Sequence, residues 1–310
     1  MQNSVQNKRV IISGANGYFG LIAQAYFGEQ GWQVLKASRH ADADIPFDLD
    51  QPEKSAATKL GAAADVFIHA AAAHEVTCRQ APYRSIYQNV AGTRAALDFC
   101  VVNGISKFVY LSTFHVFGSP QGPIDETTTP SPSNDYGLTN RLAEEYVNLY
   151  TRQGKIQGMV VRPSNFFGIP ADIHQCHRWT LTPLAFCREA VEQKKIVLRT
   201  PGHQERNFIS IWDLCGAIQA GIEKISAYPL LNVAGPDTLS IRELAQCVQS
   251  AMRRCLNQEI ELIIPDGPKP EESFTYTSLY LDQLYRPQHR IDTFIENFCS
   301  VLANQPVSVV

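Results

Sequence analysis

The 310-residue sequence predicts an α/β protein, a doubly wound parallel sheet carrying a smaller mixed α/β lobe. Three observations lead there. Strand-like and helix-like stretches alternate through the first half, the repeat that builds parallel sheets. A glycine-spaced turn stands between the first strand and the first helix. The composition, 45% hydrophobic and 18% charged, supplies a substantial core.

Arg9–Ser13 holds the β-branched Val10, Ile11 and Ile12 and reads as the first strand. Gly14, Gly17 and Gly20 follow at three-residue spacing. Glycine admits positive φ and lets backbone N–H groups approach a pyrophosphate closely. Phe19, Ile22, Ala23, Tyr26 and Phe27 then recur at helical spacing, so a helix near Leu21–Gln30 turns its N-terminus toward the anion. Strand, turn and helix together read as a Rossmann-like dinucleotide site. Gln33–Ala37, Val66–Ala70, Lys107–Ser112 and Gln157–Arg162 read as further buried strands, and Glu53–Gly61, Tyr83–Asn103 and Asp135–Gln153 as helices. Pro120 to Ser133, with four prolines, reads as a loop bordering a site.

After Gly168 the pattern changes. Thr182–Gln193, Ile211–Lys224 and Ser240–Cys255 have helical spacing, and Ser240 with Glu243 forms a capping-box signature. Short strands are expected at Ile196–Arg199, Arg206–Ser210, Leu230–Ala234 and Glu259–Ile264. The expected division is a dinucleotide-binding domain over 1–168 and a substrate-binding lobe over 169–310, with 211–234 returning to the first domain.

A net charge of −3 and a pI near 6.2 give no bulk reason to expect nucleic acid or an anionic membrane as partner. The eight cysteines form no C-x-x-C pair and read as reduced thiols of a cytoplasmic protein. His174-Gln-Cys176-His177 reads as a loop rather than a zinc site, and no metal is expected. Met1 to Asn7 has no apolar core and is not a signal peptide, and no run approaches the ~20 apolar residues of a membrane span.

Five further motifs fall in order. Ile68-His69-Ala70-Ala71-Ala72 ends a strand in small residues, and Asn89 with Gly92-Thr93 lies in the long helix after it. Leu111-Ser112-Thr113-Phe114-His115 runs on to Gly118, Tyr136 opens a helix, and Val161-Arg162-Pro163-Ser164-Asn165 runs on to Gly168. Together these resemble the extended short-chain dehydrogenase/reductase superfamily, especially its nucleotide-sugar epimerases, dehydratases and ketoreductases. The resemblance covers nearly the whole chain.

It implies roles. Thr113, five residues before Gly118, would hydrogen-bond the reacting oxygen, and Tyr136 would exchange a proton with it while a nicotinamide exchanges hydride with the attached carbon. Hydride transfer to a carbonyl builds alkoxide charge that an acid must quench. The family's Tyr-x-x-x-Lys reads Tyr136-Gly-Leu-Thr-Asn140 here; Asn140 can hydrogen-bond a ribose but brings no charge. Phe114 and His115 stand where related dehydratases carry Asp and Glu, which removes the acid of an ordinary dehydration. His115 is then either a proton relay or a residue that orders the loop or binds a substrate hydroxyl. The dinucleotide would contact Gly14, Asn16, Gly17, Tyr18, Phe19, Gly20, Ala70, Ala71, Ala72, Asn89, Ser112, Tyr136, Asn140, Pro163 and Ser164, with Asp48-Leu49 at the adenine.

Ser38 takes the place where NAD enzymes usually carry an acid, and Arg39 follows it, which favours NADP over NAD unless Arg39 is merely an exposed strand-end residue. On the substrate side, Arg206 resembles an arginine that contacts a nucleotide diphosphate, the alternative being an ion pair with Glu205 or Asp213. Asn165, His74 and Arg290 complete the expected substrate contacts. Three functions stay open: a homodimeric NADP(H)-dependent ketoreductase or epimerase of a nucleotide sugar, a reductase of small carbonyl compounds, or a cofactor-binding protein with little catalysis. The dimer would pack through helices near 83–103 and 135–153.

Overall fold

The computed structural model describes residues 8–119, 122–268 and 274–305. Met1 to Asn7, Pro120 at the head of the proline-rich loop, and Lys269 lie outside them. In chain order the strands are β1 Arg9–Ser13, β2 Gln33–Ser38, β3 Ile45–Pro46, β4 Val66–His69, β5 Lys107–Leu111, β6 Gly122–Ile124, β7 Gln157–Pro163, β8 Asn165–Phe167, β9 Lys195–Val197, β10 Glu205–Ser210, β11 Leu230–Val233, β12 Asp237–Ser240, β13 Glu261–Ile263 and β14 Phe274–Tyr276. The α-helices are α1 Tyr18–Glu29, α2 Pro52–Ala57, α3 Glu75–Gln80, α4 Pro82–Ile86, α5 Gly92–Val102, α6 Asp135–Arg152, α7 Thr182–Gln193, α8 Ile211–Glu223, α9 Ile241–Leu256, α10 Leu281–Leu284 and α11 Ile291–Asn304.

A seven-stranded sheet runs β11-β7-β5-β4-β1-β2-β3, and all its pairings are parallel. Parallel sheets need cover on both faces, which explains the near-continuous apolar strands. In β1, Val10 and Ile12 enter the core beneath α1 and α8, while Ile11 enters the one built from Phe67, Phe99, Phe108 and Val147. The chain adds β2 and β3 on one side of β1, then crosses to β4, β5, β7 and β11 on the other. The connections therefore diverge above the carboxyl ends of β1 and β4, where a crevice opens. The return of β11 to this sheet pairs Leu230–Val233 with Val160–Pro163.

The remaining strands form small sheets: β12-β10-β8, β13-β9 and β14-β6. The capping box at Ser240 and Glu243 is present at the start of α9. Several sequence-based bounds move. The helix expected over 53–61 stops at Ala57, after which Asn103 ties down the amide of Leu60 and the carbonyl of Thr58. The long helix expected over 83–103 is three pieces: α4, a π-helical turn over Tyr87–Ala91, and α5. The loop expected over 120–133 includes β6, which pairs with β14. Unanticipated α11 buries Ile291, Phe294, Ile295, Phe298, Cys299 and Leu302 along one stripe.

Candidate functional site

The turn after β1 is built for close approach. Gly14 has φ of +70°, and a Cβ on it would meet Ala71 Cα at 2.9 Å. Beneath it, a Cβ on Gly20 would fall 2.3 Å from the Gly14 carbonyl oxygen, so the helix packs hard under the turn. Gly17 caps α1 with no side-chain hydrogen bond, which leaves the leading amides of the helix for an anion. Ser13 Oγ fixes the neighbouring strand end by accepting from the amides of Ala70 and Ala71 at 3.2 and 3.3 Å.

A groove of about 480 Å³ runs over this turn. Gly14, Asn16, Gly17, Ser38, Arg39, Asp48, Leu49 and Ala70 to Ala73 line it, with His74 at one end. Arg84, Gln88 and His177 also reach it, none of them anticipated from the sequence. Asn16 Oδ1 is buried there without a hydrogen-bond partner among the described residues. Asp50 is held by Arg84 at 3.0 and 2.6 Å and by Gln88 at 2.8 Å, while Arg39 stands 3.9 Å away and is 63% exposed. Arg84 thus occupies Asp50, and Arg39 is left largely free.

A second cleft of about 310 Å³ holds Thr113, His115, Tyr136, Asn165, Arg178 and Arg206, with Glu75 at its edge. Thr113 caps the short 3₁₀ turn Phe114–Phe117, accepting from the His115 amide at 3.2 Å. Tyr136 sits in the first turn of α6, behind the Asn134 cap. Burial pushes the Tyr136 phenol up to about 12; the Arg178 charge and the Thr113 hydroxyl pull against that, and the Glu75 carboxylate adds to it. Burial lowers the His115 imidazole, Glu75 counters this and Arg206 reinforces it, so the ring is neutral at pH 7. Arg206 donates to the Glu205 carbonyl at 2.8 Å and has no ion-pair partner among the described residues. Asp213, its other sequence-level candidate, is fully buried on Tyr285, Gln288 and His289.

Residues 10–234 match the NAD dependent epimerase/dehydratase family. The chain belongs to that family. It is 26% identical over 276 residues to dTDP-6-deoxy-L-talose 4-dehydrogenase (NAD(P)(+)) of Kitasatospora kifunensis, covering 85% of each protein. To mouse dTDP-D-glucose 4,6-dehydratase it is 27% identical over 184 residues, 59% of this chain and half of that protein's length. RMD from Pseudomonas aeruginosa, solved in complex with NADPH, shares the fold with a TM-score of 0.82 at 20% identity, over 96% of this chain and 98% of that one.

Within this epimerase/dehydratase frame, several expected contacts lie elsewhere. Asn140 is 1% exposed and faces away from both openings: its Oδ1 accepts from the Tyr110 hydroxyl and its Nδ2 donates to the Tyr136 carbonyl, each at 2.8 Å. Asn89 lies beneath the groove, holding the Ala73 amide at 2.6 Å and the Thr139 hydroxyl at 2.9 Å; the π-helical turn sets it there. Tyr18 and Phe19 turn their side chains into the core, Tyr18 donating to the Gly168 carbonyl at 2.6 Å. Only their amides, with Gly20 packed below, remain near the turn. Ser112 donates to Glu144 at 2.6 Å, and Ser112, Pro163 and Ser164 line the second cleft rather than the dinucleotide groove. His74 caps α3 and lines the dinucleotide groove, not the cleft. Arg290 pairs with Asp237 at 2.6 Å and lines a separate cavity, because Asp237 also accepts from the Ile291 amide at 2.8 Å and so holds the start of α11 there. No local signal marks Glu75 and Arg178, which line the cleft together and meet at 3.0 Å. Of the described residues, no group of three or more His, Cys, Asp or Glu is placed to hold a metal ion, and no helix is long and apolar enough to cross a membrane.

Proposed function

We propose that the chain is an NAD(P)-dependent oxidoreductase or epimerase that moves hydride at a carbonyl or hydroxyl carbon of a nucleotide-activated sugar. The observation that carries this reading is Arg206, a part-buried guanidinium without an acidic partner among the described residues, in the same cleft as Thr113 and Tyr136. A diphosphate offers it bidentate, charge-assisted bonds that a small neutral carbonyl compound lacks. The fit to a dinucleotide rests on the Gly14 cradle, the uncapped amides of α1 and the unpartnered Asn16 Oδ1. When bound, the nicotinamide supplies or accepts the hydride. Tyr136 gives or takes the proton at the reacting oxygen, Thr113 holds that oxygen, and Asn165 borders the sugar. Phe114 supplies no acid, and neutral His115 is available as a proton relay or hydroxyl contact.

NADP is the proposed preference, since Ser38 carries no charge to repel a 2′-phosphate and Arg39 stands beside it. The proposed assembly is a homodimer. Tyr83, Ile86 and Tyr87 are exposed on the first proposed helix, and Leu138, Leu142 and Leu149 on the second. Light scattering should give the mass of two chains. Calorimetry with UDP, dTDP, GDP and CDP sugars, cofactor present, tests the substrate class. Arg206→Ala should weaken the sugar nucleotide that binds by about ten- to a hundredfold, leaving cofactor affinity alone, and Tyr136→Phe should abolish turnover. Failure of every sugar nucleotide to bind the parent protein refutes the reading.

A further inference from the structure

A phenol held at about 12 by burial is a poor acid–base group at neutral pH unless a cation stands near it. Neither α6 residue in the expected place supplies that cation. Asn140, one helical turn from Tyr136, is neutral and sealed against Tyr110. Arg141 spends its guanidinium on Glu144 at 3.0 Å, beneath the cleft. Of the two cations in the cleft, Arg206 and Arg178, the one that acts on the Tyr136 phenol is Arg178. Arg178 lies in the loop before α7, its side chain only 19% exposed, and its Nη2 donates to both Glu75 oxygens at 3.0 and 3.3 Å. Glu75 opens α3, directly after the small-residue end of β4, and borders Tyr136 in two adjoining cavities.

We infer that Arg178, anchored across the cleft by Glu75, is a positioning residue for proton exchange at Tyr136, its guanidinium stabilising the ionised phenol. The inference rests on the reading of Tyr136 as the proton-exchanging group. The groups around this phenol are Glu75 and Cys78 from α3, Thr113 and His115 from the turn after β5, Tyr110 from β5, and Arg178, with Arg206 of β10 in the same cleft. Arg178 and Glu75 oppose each other, and the cation has the larger effect on the phenol. Glu75 therefore has two consequences of opposite sign: it fixes the guanidinium in place and partly cancels its charge.

The test follows the ionisation of Tyr136 itself. Protein carrying ζ-¹³C-tyrosine is titrated by NMR toward high pH with NADP⁺ bound, and Tyr136→Phe identifies the resonance. In Arg178→Gln the onset of ionisation should move up by about one pH unit, and Arg178→Lys should stay near the parent. Glu75→Gln should move it down, because an anion leaves while the cation remains. An unchanged onset in Arg178→Gln, or shifts of the same sign in the Arg178→Gln and Glu75→Gln proteins, overturns the inference. Should Arg178→Gln not fold, the downward shift in Glu75→Gln and the parent-like behaviour of Arg178→Lys still decide it. The titration uses no sugar nucleotide, so failure of the substrate reading would show in calorimetry and leave this result standing by itself.

Discussion

His69 should make the fold acid-sensitive in a way that one substitution removes. It ends β4 with no exposed surface, ringed by Phe47, Phe67, Phe108 and Tyr110. Ser13 Oγ already accepts two amides, so its own proton goes to His69 Nδ1, 2.7 Å away. The ring is then the neutral Nε2–H tautomer, and a proton on Nδ1 would face the hydroxyl proton. Burial lowers its pKa from 6.5 to about 3. The unfolded chain takes up a proton below about 6.5 and the folded one only near 3, so the contribution is complete above 6.5 and is lost as pH falls between them. At ~1.4 kcal/mol per unit, moving from pH 6.5 to 5 costs about 2 kcal/mol. Urea unfolding at pH 7.5 and pH 5 measures this. His69→Asn retains an acceptor for Ser13 and does not titrate, so its loss over the same interval should be smaller than the parent's by about 2 kcal/mol. Equal losses in the two proteins would refute the buried neutral imidazole.

Two further outcomes follow from charges near the site. Glu144 and Arg162, 1% and 2% exposed, are joined by bonds of 2.8 and 2.6 Å, so Glu144→Gln should cost about 3–5 kcal/mol in a denaturant titration by stranding the buried guanidinium. Arg39→Ala should weaken NADPH binding by about 1–3 kcal/mol and NADH binding almost not at all, as read by fluorescence titration of each; equal effects on both would refute the 2′-phosphate contact.

Much of the first half was legible because its signals are local. The β-branched run over Val10 to Ile12 and the glycine spacing fix strand, turn and helix within some twenty residues. The small-residue end at Ala70 to Ala72 likewise lies where the groove requires it. The direction a side chain takes was less legible. Asn140 follows Tyr136 at the interval of one helical turn, yet Tyr110, thirty residues earlier in the chain, claims its amide. Arg290, expected among the substrate contacts, pairs instead with Asp237 through packing that no sequence window spans. Glu75 and Arg178 meet over 103 residues of separation, and Arg84 depends on Asp50. α11 went unanticipated although Ile291, Phe294, Ile295, Phe298 and Leu302 keep helical spacing.

Six of the cysteines are buried and Cys247 is half-covered, whereas Cys255 is exposed near the end of α9. The same helix begins at Ile241, on the rim of the cleft. Fourteen residues at 1.5 Å each put the two ends roughly 20 Å apart. With the nicotinamide seated beside Tyr136 as proposed, the chain carries its own attachment point for a thiol-reactive dye within energy-transfer range of it. A dye at Cys255 would report arrival and departure of the reduced dinucleotide in real time, without engineering the other thiols away.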